Sequence, residues 1–183
     1  VYPEETLRNI VRIAKENDLF VVFDETYINI VYNGKNTVPL SDIVDSVPAI
    51  SMKGISKELP WPGSRCGWME VYNAGKDPIF DRFINTILHQ KMSEVCSTTL
   101  PQLAIPKIMT HPEYNKYLQE RRRHYEKLSD IAYNILKDVP CMMVNKTDGA
   151  FYMTIVFNES GLNANQALHI PNKDVREFVE NLI

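Results

Sequence analysis

Ser56-Lys57-Glu58-Leu59-Pro60-Trp61-Pro62-Gly63-Ser64-Arg65-Cys66-Gly67-Trp68 sets one lysine eight residues before an arginine, with a Pro-Gly turn between them. Apolar, β-rich segments flank it, Ala49–Met52 before and Gly67–Tyr72 after. A third such segment, Phe20-Val21-Val22-Phe23, runs straight into Asp24-Glu25-Thr26-Tyr27. Short, wholly apolar runs are the mark of strands buried on both faces. Charged residues at their carboxyl ends stand where open α/β sheets gather their ligands. The fold class predicted is α/β, with a mixed, mainly parallel sheet.

The helices follow from spacing. Pro3, Glu4 and Glu5 suit a first turn, where a missing N–H is harmless and negative charge is favoured. Leu7, Ile10, Val11 and Ala14 recur at helical spacing until Asn17-Asp18 closes the helix. Residues 33–48 read as loop with one helical turn. Ile79, Phe80, Phe83, Ile84, Ile87 and Leu88 stripe a helix that follows Asp77-Pro78.

From Pro112 to Asp138 a long polar-faced helix is predicted, with Leu118, Tyr125, Leu128, Ala132, Ile135 and Leu136 on its apolar side. Two strands, Met142–Asn145 and Ala150–Phe157, are joined through Thr147-Asp148-Gly149, and Val175, Phe178, Val179 and Leu182 mark a terminal helix. This change of character divides the chain near Thr110, into residues 1–110 of a sheet-bearing domain and residues 111–183 of a smaller α+β domain. The chain starts on the doorstep of a helix without an initiator Met and stops inside an apolar-periodic run. It reads as a piece of something longer.

Composition narrows the function. With 44% apolar residues and a net charge of −3, the chain offers no electrostatic case for nucleic acid or an anionic membrane. No apolar run approaches the roughly 20 residues of a membrane span, and no signal-peptide pattern opens the chain. Cys66, Cys96 and Cys141 are odd in number, widely spaced and form no CxxC. A reduced, cytoplasmic setting fits them; a zinc site or disulfide framework does not. His89, His111, His124 and His169 show no metal spacing, so no metal is expected.

Each charged candidate also has an ordinary reading. An acid at a strand end caps helices, lysines are mostly solvated, and an arginine after a turn pairs with carboxylates. Convergence at strand ends is what lifts Asp24, Lys57 and Arg65 together. A desolvated lysine beside a cation loses its proton near neutral pH and becomes a nucleophile. A guanidinium fork suits a phosphate, and a carboxylate keeps a ring nitrogen protonated. Amine, carboxylate and guanidinium are the partners that pyridoxal 5′-phosphate needs. Tyr27 adds a hydroxyl, and Gly63 and Gly67 are expected to allow the tight turn and close backbone approach.

The pattern Ser-Lys, then Pro-Gly-x-Arg-x-Gly-Trp, preceded by Asp-Glu-x-Tyr at a strand end, resembles the class I/II aminotransferases of fold type I. Gly149-Ala150-Phe151-Tyr152 resembles that family's small-domain strand, and Gln102 with its apolar followers resembles the segment ahead of the interdomain helix. The likeness runs through nearly all of the chain. It implies that Lys57 forms the Schiff base with the cofactor and then serves as general base and acid. It implies that Asp24 faces the pyridine nitrogen, Tyr27 the phenolic oxygen and Arg65 the phosphate.

The family often has a phosphate-binding serine three residues before the lysine, where Gly54 stands here; Ser56 or Ser51 is the substitute. Lys53 is the rival amine, without the spacing to arginine. The family's asparagine and stacking aromatic would precede Val1, and its substrate-gripping arginine would follow Ile183.

The resemblance further implies amino-acid and 2-oxo-acid substrates, a homodimer in the full-length protein, and no transamination by this chain alone. A carbon–sulfur β-lyase or amino-acid decarboxylase shares every motif seen here, and an aminotransferase-like sensor domain is the non-enzymatic alternative. Arg121-Arg122-Arg123 reads as the solvated or ion-paired side of the long helix. Trp61 and Trp68 read as packing residues, and Cys66 and Cys96 as buried small hydrophobes.

Overall fold

Pro3 ends an extended entry and α1 (Glu4–Glu16) begins, with Glu4 and Glu5 in its first turn and Lys15 in its last. The computed structural model describes residues 1–157. Three strands follow α1 in one sheet: β1 (Val21–Asp24), β2 (Ala49–Gly54) and β3 (Gly67–Tyr72), in that spatial order. β1 and β2 are parallel, with Asp24 opposite Met52. β2 and β3 are antiparallel, with Lys53 opposite Trp68 and Gly54 opposite Gly67. The sheet is mixed. A 3₁₀ turn at Leu40–Asp42 supplies the helical turn expected between residues 33 and 48.

Register assigns the faces, because side chains alternate along each strand and directly opposed residues share a side. Val21, Phe23, Ala49 and Tyr72 lie on the face that meets α1. There Leu7, Val11 and Ala14 share one core cluster with Val21, Leu40, Ile43, Val44, Val47 and Ala49. The opposite face carries Val22, Asp24, Ile50, Met52, Met69 and Val71; Ile50 at its centre is buried, whereas Val22 is 46% exposed. Among the described residues β1 is thus buried on the α1 face, while its wholly apolar sequence predicted burial on both. Phe20 falls before β1 and packs instead on Phe80 and Phe83, with ring centroids 5.4 and 5.3 Å away.

Those two rings belong to α2 (Pro78–Lys91), which Asp77 caps by accepting from the N–H groups of Ile79 and Phe80 at 2.6 and 2.9 Å. Such a cap is worth about 1 kcal/mol. α3 (Thr99–Met109) and α4 (Tyr114–Leu136) follow. Pro112 and Glu113 lie just ahead of α4. β4 (Met142–Val144) and β5 (Ile155–Phe157) form an antiparallel pair. The expected strand Ala150–Phe157 is therefore reduced to its last three residues.

The chain forms two compact units. Among the described residues, Val1–Glu126 and Asp148–Ala150 make the first; Lys127–Thr147 and residues 151–157 belong to the second. Asp148–Ala150 joins the first unit through backbone bonds: Tyr32 N–H donates to Asp148 at 3.0 Å and Ala150 N–H to Ile30 at 2.9 Å. Within the second unit, Ser129 and Thr147 hydroxyls lie 2.7 Å apart and Lys146 pairs with Asp130 at 2.9 Å. The terminal helix expected around Val175–Leu182 lies outside the described residues. No helix among the described residues is long and apolar enough to cross a membrane.

Candidate active site at the strand ends

Asp24 is the last residue of β1, on the sheet face of Val22 and Met52, and is exposed. Its Oδ1 accepts from the Thr26 N–H at 3.0 Å and the Thr26 hydroxyl at 2.8 Å, so its carboxylate is fixed by the turn that follows. Tyr27 lies in that same turn, and the Lys57 Nζ lies 5.9 Å from the centre of its ring. Ser56 and Lys57 are half-buried in the irregular segment after β2. Tyr27 and Lys57 are thus brought together, with Asp24 three residues before Tyr27 at the carboxyl end of β1.

Arg65 follows the 3₁₀ turn Pro62–Ser64 and is exposed. It adopts the left-handed conformation itself, with φ 50 and ψ 41, and its Nη1 donates to the Pro62 carbonyl at 3.1 Å. A non-glycine residue in that region costs about 1–2 kcal/mol, which the turn sustains at this position. Gly67 is the glycine that geometry requires: a Cβ there would lie 2.8 Å from the Lys53 carbonyl oxygen. A Cβ at Gly63 would meet nothing within 4 Å, so the turn does not need that glycine as the sequence suggested.

Lys53 stands on the other side of β2, in a polar cluster on the face that meets α1. Its Nζ lies 3.5 Å from Glu25 and 3.1 Å from Glu70. Glu25 is 7% exposed, and its two oxygens accept from the Leu40 N–H at 2.6 Å and from the Ser51 hydroxyl. Ser51 is fully buried in that bond. Burial pushes the Glu70 carboxyl up, but hydrogen bonds from Tyr72, Lys53 and Trp68 outweigh it and hold the group below its ordinary range. Burial, then the bond and charge of Glu70, push the Tyr72 phenol up to about 12. Both Lys53 and Ser51 are committed to this cluster.

A second network was not legible in the sequence. Glu58 accepts from Asn29 Nδ2 at 2.8 Å and from the Tyr114 hydroxyl. Burial raises its pKa, against the Asn29 bond and the charges of Arg122, Lys53 and Arg121. Arg121 Nη2 donates to the Lys57 carbonyl at 3.1 Å, and Arg122 Nε donates to the Asn29 carbonyl at 2.8 Å. Arg121 and Arg122 are therefore main-chain clamps, and only Arg123 is exposed as the solvated reading expected. A cavity of about 70 Å³ beside them is lined in part by Glu25, Asn29, Lys53, Glu58, Trp68 and Tyr114. The one available signal was the recurrence of Tyr114, Tyr117, Arg121 and Tyr125 on a single helical face.

The remaining candidates differ from expectation in exposure. Cys66 is half-buried and Cys96 is exposed, so Cys96 is no core hydrophobe. Trp68 Nε1 bonds Glu70 at 3.2 Å, whereas Trp61 is 37% exposed on the turn. Gly149 pairs with Val31 in an isolated bridge rather than in a strand.

The sequence matches the family described as aminotransferase class I and II over residues 1–181. An uncharacterized aminotransferase of Methanocaldococcus jannaschii is 52% identical over 183 residues, which is 100% of this chain and 42% of that protein. Tyrosine aminotransferase of Caenorhabditis elegans is 37% identical over 158 residues, 85% of this chain and 33% of that enzyme. Among solved structures, an alanine aminotransferase from Pyrococcus furiosus superposes with a TM-score of 0.77 at 28% identity. That match covers 100% of this chain and 42% of the other. The chain spans less than half the length of these relatives, and its mixed sheet is part of the fold type I architecture. A family match over almost every residue, carried by a fold shared with solved members, leaves one assignment: the chain belongs to the class I and II aminotransferases.

Proposed function

We propose that the full-length protein transfers an amino group between an amino acid and a 2-oxo acid with pyridoxal 5′-phosphate, and that Lys57 is the attachment lysine. One observation carries the choice of lysine. Lys53 is engaged by Glu25 and Glu70 on the α1 face, while Lys57 lies beside Tyr27 at the strand ends. The donor set fits the cofactor chemically, with an amine, a carboxylate, a phenol and a guanidinium, and Gly67, two residues after Arg65, lets β3 lie close to β2.

When bound, the cofactor supplies an aldehyde that carries the amino group and a ring that accepts the electron pair freed at the substrate α-carbon. Lys57 Nζ would hold the cofactor through its amine and, when released from it, would serve as the base that takes the proton at the substrate α-carbon. Asp24 holds a proton on the ring nitrogen. Tyr27 donates its hydroxyl to the ring oxygen, and Arg65 with Ser56 takes the phosphate. In this reading residues 1–110 belong to the cofactor-binding domain and residues 111–183 to the small domain. The full-length protein is a cytoplasmic homodimer.

Borohydride reduction of the cofactor-loaded full-length protein, followed by peptide mass mapping, tests the reading. The label is expected on Lys57, with turnover dependent on a 2-oxo acid. A label on Lys53 overturns the lysine assignment, and turnover without a 2-oxo acid overturns the reaction.

A further inference from the structure

Lys57 lies in a stretch, residues 55–61, that belongs to no strand or helix. Ladder bonds therefore do not fix its main chain. A lysine side chain carries four rotatable bonds, so its amine goes wherever the main chain lets it swing. Something else must hold the peptide, and the first half of α4 does so from one face. Tyr114, Tyr117 and Arg121 are spaced i, i+3, i+7, which aligns them along one side of a helix. Tyr114 reaches the Glu58 carboxylate, the Tyr117 hydroxyl lies 3.5 Å from the Glu58 carbonyl, and Arg121 takes the Lys57 carbonyl at 3.1 Å.

Arg121 is itself immobilised. Its guanidinium lies 5.7 Å from the Tyr117 ring centre and 5.0 Å from that of Tyr125, whose hydroxyl also accepts from Nη2 at 2.8 Å. Its Nε is buried and has no hydrogen-bond partner among the described residues. A buried unpaired donor is a cost to folding. A side chain that sustains this cost while gripping one carbonyl is suited to placing that carbonyl, not to maximising stability.

We propose that Arg121 is a positioning residue, which sets the reach of the Lys57 amine by clamping the Lys57 carbonyl against α4. This rests on the reading of Lys57 as the attachment lysine. Displacement of a reacting group by about 1 Å can cost on the order of 10²-fold in rate, so loss of the clamp acts on turnover more than on substrate binding.

The test uses the full-length protein and two variants. Arg121→Met keeps side-chain bulk but removes every donor; Arg121→Lys keeps the cation and a donor nitrogen but loses the planar fork. In the cofactor-free protein, Arg121→Met is expected to speed hydrogen exchange of Ile55–Leu59 about tenfold or more, without changing β1 or β2. In the loaded protein kcat is expected to fall about 10–100-fold with KM within about threefold, and the pH titration of the bound cofactor's absorbance to shift. Arg121→Lys is expected to fall between wild type and Arg121→Met, and it decides the matter if Arg121→Met does not fold. Absence of a borohydride label on Lys57 in the wild type overturns the functional reading beneath the proposal. A labelled Lys57 with unchanged exchange, titration and kcat in a folded Arg121 variant overturns the positioning role alone.

Discussion

Asp24 and Glu25 are neighbours in the chain and serve opposite faces of the same sheet. Asp24 is exposed at the strand end, held by Thr26. Glu25 is buried on the α1 side, where it accepts from Leu40 and Ser51 and pairs with Lys53. Two acids that look equivalent in sequence therefore differ in surroundings: Glu25 is tied into the fold, and Asp24 is the one proposed for cofactor chemistry.

Replacing each one separates the two roles. Glu25→Ala leaves a buried N–H, a buried hydroxyl and a half-compensated ammonium, so it should cost about 3 kcal/mol. Asp24→Asn still accepts from Thr26 and should stay within about 0.5 kcal/mol of wild type. Its turnover should fall about 10³-fold, in keeping with loss of a group that holds a proton during the reaction. Urea unfolding and steady-state rates on the full-length variants check both. A fully active Asp24→Asn removes that carboxylate from the mechanism.

Gly67 and Gly63 make a second contrast. Gly67→Ala drives a Cβ to within 2.8 Å of the Lys53 carbonyl and must push β3 off β2. About 1–3 kcal/mol should be lost, together with the position of Arg65. Gly63→Ala meets nothing and should be neutral or slightly stabilising. Thermal midpoints of the two variants compared with wild type will show whether the asymmetry holds.

The Glu70–Tyr72 pair predicts two limbs in the pH dependence of stability. Tyr72 is raised from 10.0 to about 12, so its contribution is complete below pH 10 and is lost as pH rises through about 12. Glu70 is lowered from 4.5, so its contribution is present above 4.5 and is lost as pH falls through its folded value. Tyr72→Phe should flatten the alkaline limb and Glu70→Gln the acid limb, read as urea midpoints against pH. A Tyr72→Phe difference that is constant from about pH 9 to pH 12 contradicts the assignment.

The sequence by itself determined the elements and the strand-end candidates. Apolar runs marked β1, β2 and β3, and period 3.6 marked α1, α2 and α4. Asp24 ends β1, Lys57 follows β2 and Arg65 precedes β3. These are local signals, written in propensity and spacing. Tertiary structure decided which side of each strand would be covered. That depends on α1 and β3 arriving from distant positions, so nothing near Val22 announced which face α1 would cover. It also decided that Lys53 belongs to Glu25 and Glu70, 28 and 17 residues away in the chain. Arg121 reaches the Lys57 carbonyl across 64 residues. A charge on a helix reads as solvated until a buried carbonyl is brought within hydrogen-bond distance, and only the packed chain brings it there.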